Sequence, residues 1–240
     1  MKRILAVLLT VLTLLSATTF GAFTAEAKGT AYTIKKLDKS EKYYYGSLNN
    51  YCKYPVFSGK SKGIKKVNKS FKKYANSFVK EGEPYSAELS YYYENYGNAP
   101  EFFNTANCKV TYNNGKIVSV KYKTKWYMGG IFNSSFYGVN YNLKTGKKLK
   151  IKSVLQKKYN PETKKGFKKL QLDIGVKLYE KYDETVAHNF FETYNTRKKL
   201  SNLKYYLNKN GDVVVCFITN DISSSAAGCL SVTMKSKYSK

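Results

Sequence analysis

The sequence predicts an α+β fold, an antiparallel β-sheet with two main helices packed on one face. Three observations predict it. Apolar residues recur at helical spacing in two long stretches, Ser61 to Lys80 and Asn160 to Tyr182. Elsewhere they alternate with polar residues in short runs separated by Asn-Gly and Lys-Thr-Gly turns. The runs follow one another directly instead of alternating with helices, which suits an antiparallel sheet.

The chain opens as an exported protein does. Met1-Lys2-Arg3 is a positive n-region, Ile4 to Leu15 an apolar h-region, and Ala25-Glu26-Ala27 a small-x-small cleavage site. Residues 1–27 are therefore expected to be a signal peptide. This puts the protein outside the cytoplasm, at a Gram-positive-type cell surface or secreted from it. No later apolar run is long enough to span a bilayer; an uncleaved signal anchor is the alternative to cleavage. Residues 28–50 are polar and mixed and read as a loosely ordered arm, leaving one domain over 51–240.

Within that domain, Tyr51 to Val56 reads as a short strand stopped by Pro55. Ile64, Val67, Phe71, Tyr74 and Phe78 make the buried stripe of a first helix, with Lys65, Lys69, Lys72 and Lys73 on its outer face. The Tyr-rich run Ala87 to Tyr96 reads as extended. Val110 to Tyr112 and Ile117 to Trp126 flank the hairpin turn Asn113-Asn114-Gly115. Tyr137, Val139, Tyr141 and Leu143 alternate up to Lys144-Thr145-Gly146, and Leu149 and Ile151 continue the apolar face beyond it.

Asn160-Pro161-Glu162 reads as the start of the second helix, whose buried stripe is Phe167, Leu170, Ile174, Leu178 and Tyr182. A shorter helical or irregular stretch covers Asp183 to Lys199. Asn210-Gly211 turns into Val213 to Thr219, apolar on both faces and hence central. Leu230, Val232 and Met234 form a last strand.

Composition narrows the partners. The 240 residues carry 42 Lys and Arg against 16 Asp and Glu, a net charge of +26 that falls by one without residues 1–27. With 24 Tyr and 13 Phe the chain has ample core material, which excludes a disordered polycation. Such a charge draws polyanions at range. Strand alternation puts Lys121, Lys123 and Lys125 on one side of one strand, and Lys148, Lys150 and Lys152 on one side of the next. On one sheet they would make a basic, solvent-facing plate for an anionic wall or surface polymer, or for an acidic protein. Glycan contact through Tyr91, Tyr92 and Tyr93 is a further possibility. No nucleic-acid motif occurs, so nucleic acid is not an expected partner.

Four cysteines, Cys52, Cys108, Cys216 and Cys229, allow three pairings in an oxidising compartment. Cys216 and Cys229 bracket the link between two neighbouring strands, so the expected disulfides are Cys216–Cys229 and Cys52–Cys108. Enzyme chemistry is not expected. The chain lacks H-E-x-x-H and P-loop patterns. His188 is the only histidine and reads as structural. The acid pairs Asp183/Glu184 and Glu81/Glu83 lack the geometry for concerted work. No catalytic, cofactor-binding or metal-binding residue is assigned.

Several segments resemble a known family. They are Trp126-Tyr127-Met128-Gly129-Gly130, the strand Tyr137 to Leu143, Lys144-Thr145-Gly146-Lys147-Lys148-Leu149, the ending Phe217 to Gly228, and Tyr54-Pro55-Val56 with Val67-Asn68. Together they resemble the extracytoplasmic region, of unknown function, shared by the anti-sigma factor RsiV and the non-catalytic N-terminal part of the peptidoglycan deacetylase PdaC. The resemblance runs from about Tyr51 to Met234. It implies a binding or sensing module, lysozyme being the ligand of the RsiV branch. Two strongly cationic proteins repel, which argues against that ligand here. Ile131-Phe132 stands where relatives often have Ala-His, so any role of that histidine is missing.

Overall fold

The structure, a computed structural model, describes residues 29–130, 132–218, 220–224 and 228–240. The expected signal peptide lies outside the described residues. No helix among them is long and apolar enough to cross a membrane. The fold is mixed α+β, as the sequence predicts, but it is built on two sheets.

The larger sheet has six strands: β1 (Tyr32–Asp38), β2 (Glu41–Tyr43), β3 (Gly46–Phe57), β4 (Glu101–Asn113), β5 (Ile117–Tyr127) and β6 (Asn133–Asn142). Their order is β1-β3-β4-β5-β6, with β2 also on β3. The expected arm over residues 28–50 is thus ordered, contributing β1, β2 and the start of β3. β1 is exposed along nearly its whole length, so it carries no hydrophobic alternation for the eye to find. Its order comes from register with β3, Tyr32 opposite Phe57 through Asp38 opposite Tyr51. Pro55 does not stop β3. It lies past Cys52, where β4 pairing ends and β1 is the only strand neighbour among the described residues.

β3 and β4 are parallel, so a crossover must join them. It consists of α1 (Lys62–Glu81) and α2 (Tyr85–Tyr96). Ser61 caps α1 by accepting from the Ile64 N–H. Asn68 closes the β3–α1 corner by bonding both the N–H and the carbonyl of Phe57, each at 2.9 Å. At the far end two buried asparagines paired across β3 and β4 hold the helix. Asn50 donates to the Val79 carbonyl (2.7 Å), and Asn104 donates to the Phe78 carbonyl and to Asn50 (both 3.1 Å). These bonds satisfy carbonyls that a helix end leaves open. Val67, Phe71, Ala75 and Val79 then pack on Cys52, Tyr54, Ala106, Val118, Val120 and Tyr122.

The expectation of an extended Ala87 to Tyr96 is overturned by α2. Three consecutive tyrosines mimic a strand, but Leu89 buries with Tyr85, Tyr92 and Tyr93 around Leu48 and Phe102, at helical spacing. Gly97 ends the helix at φ 71°.

The smaller sheet, β7 (Lys204–Leu207), β8 (Val213–Phe217) and β9 (Leu230–Met234), is antiparallel, with β8 buried throughout at its centre. It is covered by α3 (Lys164–Lys181), α4 (Glu184–Thr193) and the short α5 (Arg197–Ser201). The two main helices therefore serve different sheets, α1 the larger and α3 the smaller. α3 begins later than Asn160-Pro161 suggests, capped by Thr163 accepting from the Gly166 N–H.

The sheets meet where the edge strand β7 lies across β5 and β6. Ser119 accepts from the Leu207 N–H (2.8 Å), and Asn140 donates to the Tyr205 carbonyl (2.8 Å). Side chains thus satisfy the edge groups of β7 that a further strand would otherwise pair. Gly138 of β6 faces the Tyr205 carbonyl with no room for a side chain.

Candidate anion-binding surface

The structure does not assemble the six candidate lysines into a plate. The Lys121, Lys123, Lys125 face of β5 is the one that the smaller sheet covers in part. Lys121 is held between two aromatic rings, its Nζ 4.3 Å from the Phe136 ring centre and 5.1 Å from that of Tyr206. Lys123 and Lys125 remain exposed. The second lysine strand does not form. A single bridge, Tyr141 to Lys148, is followed by a 3₁₀ turn over Ile151–Ser153. Leaving the sheet removes the alternation on which a shared lysine face depends. Lys152 instead pairs with Glu162.

Two of the six do face one site. A cleft of about 740 Å³ opens beside β6, between α1, the 148–150 segment and the turn from α5 into β7. Phe71 and Tyr74 of α1 and Tyr137 of β6 give it an apolar wall, while Lys148, Lys150 and Lys204 line its rim. Lys148 is exposed by area yet lies along the cleft wall. Loss of water, and then the Lys204 charge, hold its ammonium below the ordinary lysine range.

The cleft adjoins a larger basic surface that strand alternation could not reveal. Lys62, Lys65, Lys66, Lys69, Lys72, Lys73 and Lys80 of α1 are all exposed. Lys62, Lys66, Lys69, Lys73 and Lys80 fall in one row, within about 40° of a common line at 100° per residue. No ion pair engages any of the seven among the described residues. The Lys144-Thr145-Gly146-Lys147 turn rests on this helix. A Cβ on Gly146 would stand 2.6 Å from that of Lys66, and one on Gly63 would stand 2.3 Å from the Lys144 carbonyl oxygen. Exposed Lys144 and Lys147 thus join the N-terminal end of the row.

The sheets bring the expected cysteine partners near one another: Cys52 lies opposite Ala106, two residues from Cys108, and Cys216 lies opposite Ser231, two residues from Cys229. Burial pushes the thiols up, Cys52 and Cys216 to about 12 and Cys108 to about 11. Native alkylation followed by peptide mapping is expected to leave buried Cys52 and Cys216 unlabelled until the chain unfolds. An intact mass four hydrogens short of the fully reduced chain is the result expected if both disulfides form.

His188 is exposed on α4 and stands 3.3 Å from Glu192 one turn on. No group of three or more His, Cys, Asp or Glu side chains is placed to hold a metal among the described residues.

Comparison with known proteins accords with the resemblance read from the sequence. Residues 39–131, from the expected arm through β5 to the Gly-Gly loop, match the family described as Deacetylase PdaC. No curated protein matches the chain. Two crystal structures of DUF3298 family proteins share its fold. One, from Bacteroides fragilis, is 16% identical with a TM-score of 0.54, over 86% of this chain and 91% of the other. The second, from Pseudomonas aeruginosa, is 12% identical with a TM-score of 0.52, over 85% and 91%. The chain therefore carries a PdaC-like region at residues 39–131 within a fold it shares with DUF3298 proteins.

Proposed function

We propose that the chain is an exported, non-catalytic binding module of a bacterial cell envelope, and that it holds an anionic wall or surface polymer. The observation that carries this reading is the exposed lysine row on α1, unopposed by acids and continuous with the 144–150 turn and the lysine-rimmed cleft. A chain of spaced phosphates or carboxylates could follow the row and reach Lys148 and Lys150 at the cleft rim by way of the 144–147 turn. Each contact would be weak alone; many together would bind firmly and release ions, so salt would weaken them. An acidic protein would meet the same lysines.

The test is retention on isolated cell walls at about 0.05 M and 0.5 M salt. The unmodified protein is expected to bind at low salt and to elute at high salt. Replacing Lys66, Lys69 and Lys73 together with Ala should weaken low-salt binding at least tenfold, and Lys148→Ala with Lys150→Ala should weaken it further. Lys121→Ala, clamped between rings, should change it little. Salt-insensitive retention, or retention that survives the α1 triple variant, defeats the reading.

A further inference from the structure

The positive charge is not spread evenly. Between Lys80 and Lys109 the sequence has no lysine or arginine, yet it carries Glu81, Glu83, Glu88, Glu94 and Glu101. This stretch includes α2, which packs against the start of β3, where β2 turns back through Tyr44-Tyr45.

That turn breaks a local rule. Tyr43 pairs with Gly46, so Tyr44 and Tyr45 are the two loop residues of a tight hairpin, positions that favour Asn-Gly or a similar pair. Neither has positive φ, and Tyr44 is 87% exposed at the tip. Turn chemistry does not call for these residues and core packing does not use Tyr44. Violations of this kind concentrate at functional sites.

The rings are arranged as a platform. Tyr43 and Tyr45 stack with centroids 5.1 Å apart and planes 5° from parallel. Tyr45 stacks on Tyr93 of α2 at 4.9 Å and 23°. Tyr44 stands edge-on to both Tyr45 and Tyr93, at 84° and 82°. Beside them is a shallow concavity of about 450 Å³ lined also by Lys42, Ser47, Asn98 and Glu101.

We propose that this platform binds an uncharged polysaccharide, a chain of pyranose rings, at a site separate from the lysine surface. A pyranose presents an apolar C–H face, which packs on a tyrosine ring, and a rim of hydroxyls, which Ser47, Asn98, Glu101 and the tyrosine hydroxyls are placed to meet. Local charge selects the class of ligand. Lys42 shares the concavity with Glu101, Glu41 accepts from the Tyr43 hydroxyl and Glu94 is near Tyr44, so a polyanion meets carboxylates here although the chain as a whole is strongly basic. A protein interface would need a broad apolar centre sealed from water, and this concavity is small and ringed by polar groups.

The experiment is a calorimetric and NMR titration of the full secreted protein with chitohexaose, cellohexaose, xylohexaose and laminarihexaose, and separately with hen lysozyme as a cationic protein. At least one oligosaccharide is expected to bind, with equal affinity at about 0.05 M and 0.5 M salt. Tyr44→Ala and Tyr93→Ala should each weaken it at least tenfold, whereas Tyr44→Phe should retain it. Tyr44 is exposed, so its variant should fold normally, as unchanged circular dichroism would confirm. The α1 lysine variants should bind the sugar unchanged, which separates failure here from failure of the anion-binding reading. Binding of none of the four sugars, sugar binding that survives Tyr44→Ala or declines with salt, or engagement of the platform by lysozyme instead would overturn the proposal.

Discussion

Gly138→Ala is expected to destabilise the protein by about 3 kcal/mol or more, the effect of overpacking a contact that cannot relax. The added Cβ would lie 1.9 Å from the Tyr205 carbonyl oxygen and 2.6 Å from the Tyr206 Cβ. Neither strand has freedom to withdraw. β6 is held along β5 from Asn133 to Asn142. β7 is held by β8 and by the Asn140–Tyr205 and Ser119–Leu207 bonds. For a chain of this size the expected fall in melting temperature is about 6–12 °C. Gly130→Ala is the control, because a Cβ there meets nothing within 4 Å, and it should stay within about 0.5 kcal/mol of the unmodified protein. A Gly138→Ala protein melting within about 2 °C of its parent would show that the two sheets are not locked at this crossing.

Alkaline unfolding is the second large effect. Beneath α1, Tyr74, Tyr122 and Tyr137 form one cluster. Tyr74 lies 4.7 Å from Tyr122 by ring centroids and shares a hydroxyl–hydroxyl hydrogen bond with Tyr137, while the Tyr122 hydroxyl is buried with no hydrogen-bond partner among the described residues. Tyr205 is buried at the meeting of the sheets. Burial pushes all four phenols up, Tyr137 to about 12 and the others further. In the unfolded chain each ionises near pH 10. Above that pH the native state keeps protons that the unfolded state has lost, so stability falls as pH rises. Below pH 10 the stability from these groups is fully present. Above it each removes about 1.4 kcal/mol per pH unit until its folded value is reached, so the four together remove about 5–6 kcal/mol per unit. Against a total of about 5–15 kcal/mol, cooperative unfolding is expected between roughly pH 11 and 12.5. Tyrosinate absorbance near 295 nm and far-ultraviolet circular dichroism should change together there. Full ionisation by pH 11 with the dichroism unchanged would show these phenols to be accessible.

Much of this fold is legible in the sequence where one pattern repeats long enough. α1 declares itself through Val67, Phe71 and Tyr74, the β4–β5 hairpin through Asn113-Asn114-Gly115, and β8 through its unbroken apolar run. α2 does not, because Tyr91-Tyr92-Tyr93 fills consecutive positions and hides the spacing of Tyr85, Leu89 and Tyr92. β1 is invisible because it buries almost nothing and depends on hydrogen bonds to β3. The arrangement of the candidate lysines was hidden for a different reason. Alternation correctly placed Lys121 opposite Val120 and Tyr122, but no local pattern states that Phe136 and Tyr206 will close over it. Nor does alternation extend past Lys148, where the chain leaves the sheet. The basic face of α1 was readable; its junction with the Lys144–Lys147 turn depends on Gly63 and Gly146 and emerges only when the chain is folded.

The gap in basic residues between Lys80 and Lys109 gives the molecule an electrical direction. An outside field acts on unevenly placed charge as a turning force, so under the proposed function the lysine-bearing flank of α1 would be drawn to a negatively charged layer more strongly than the stretch between Lys80 and Lys109.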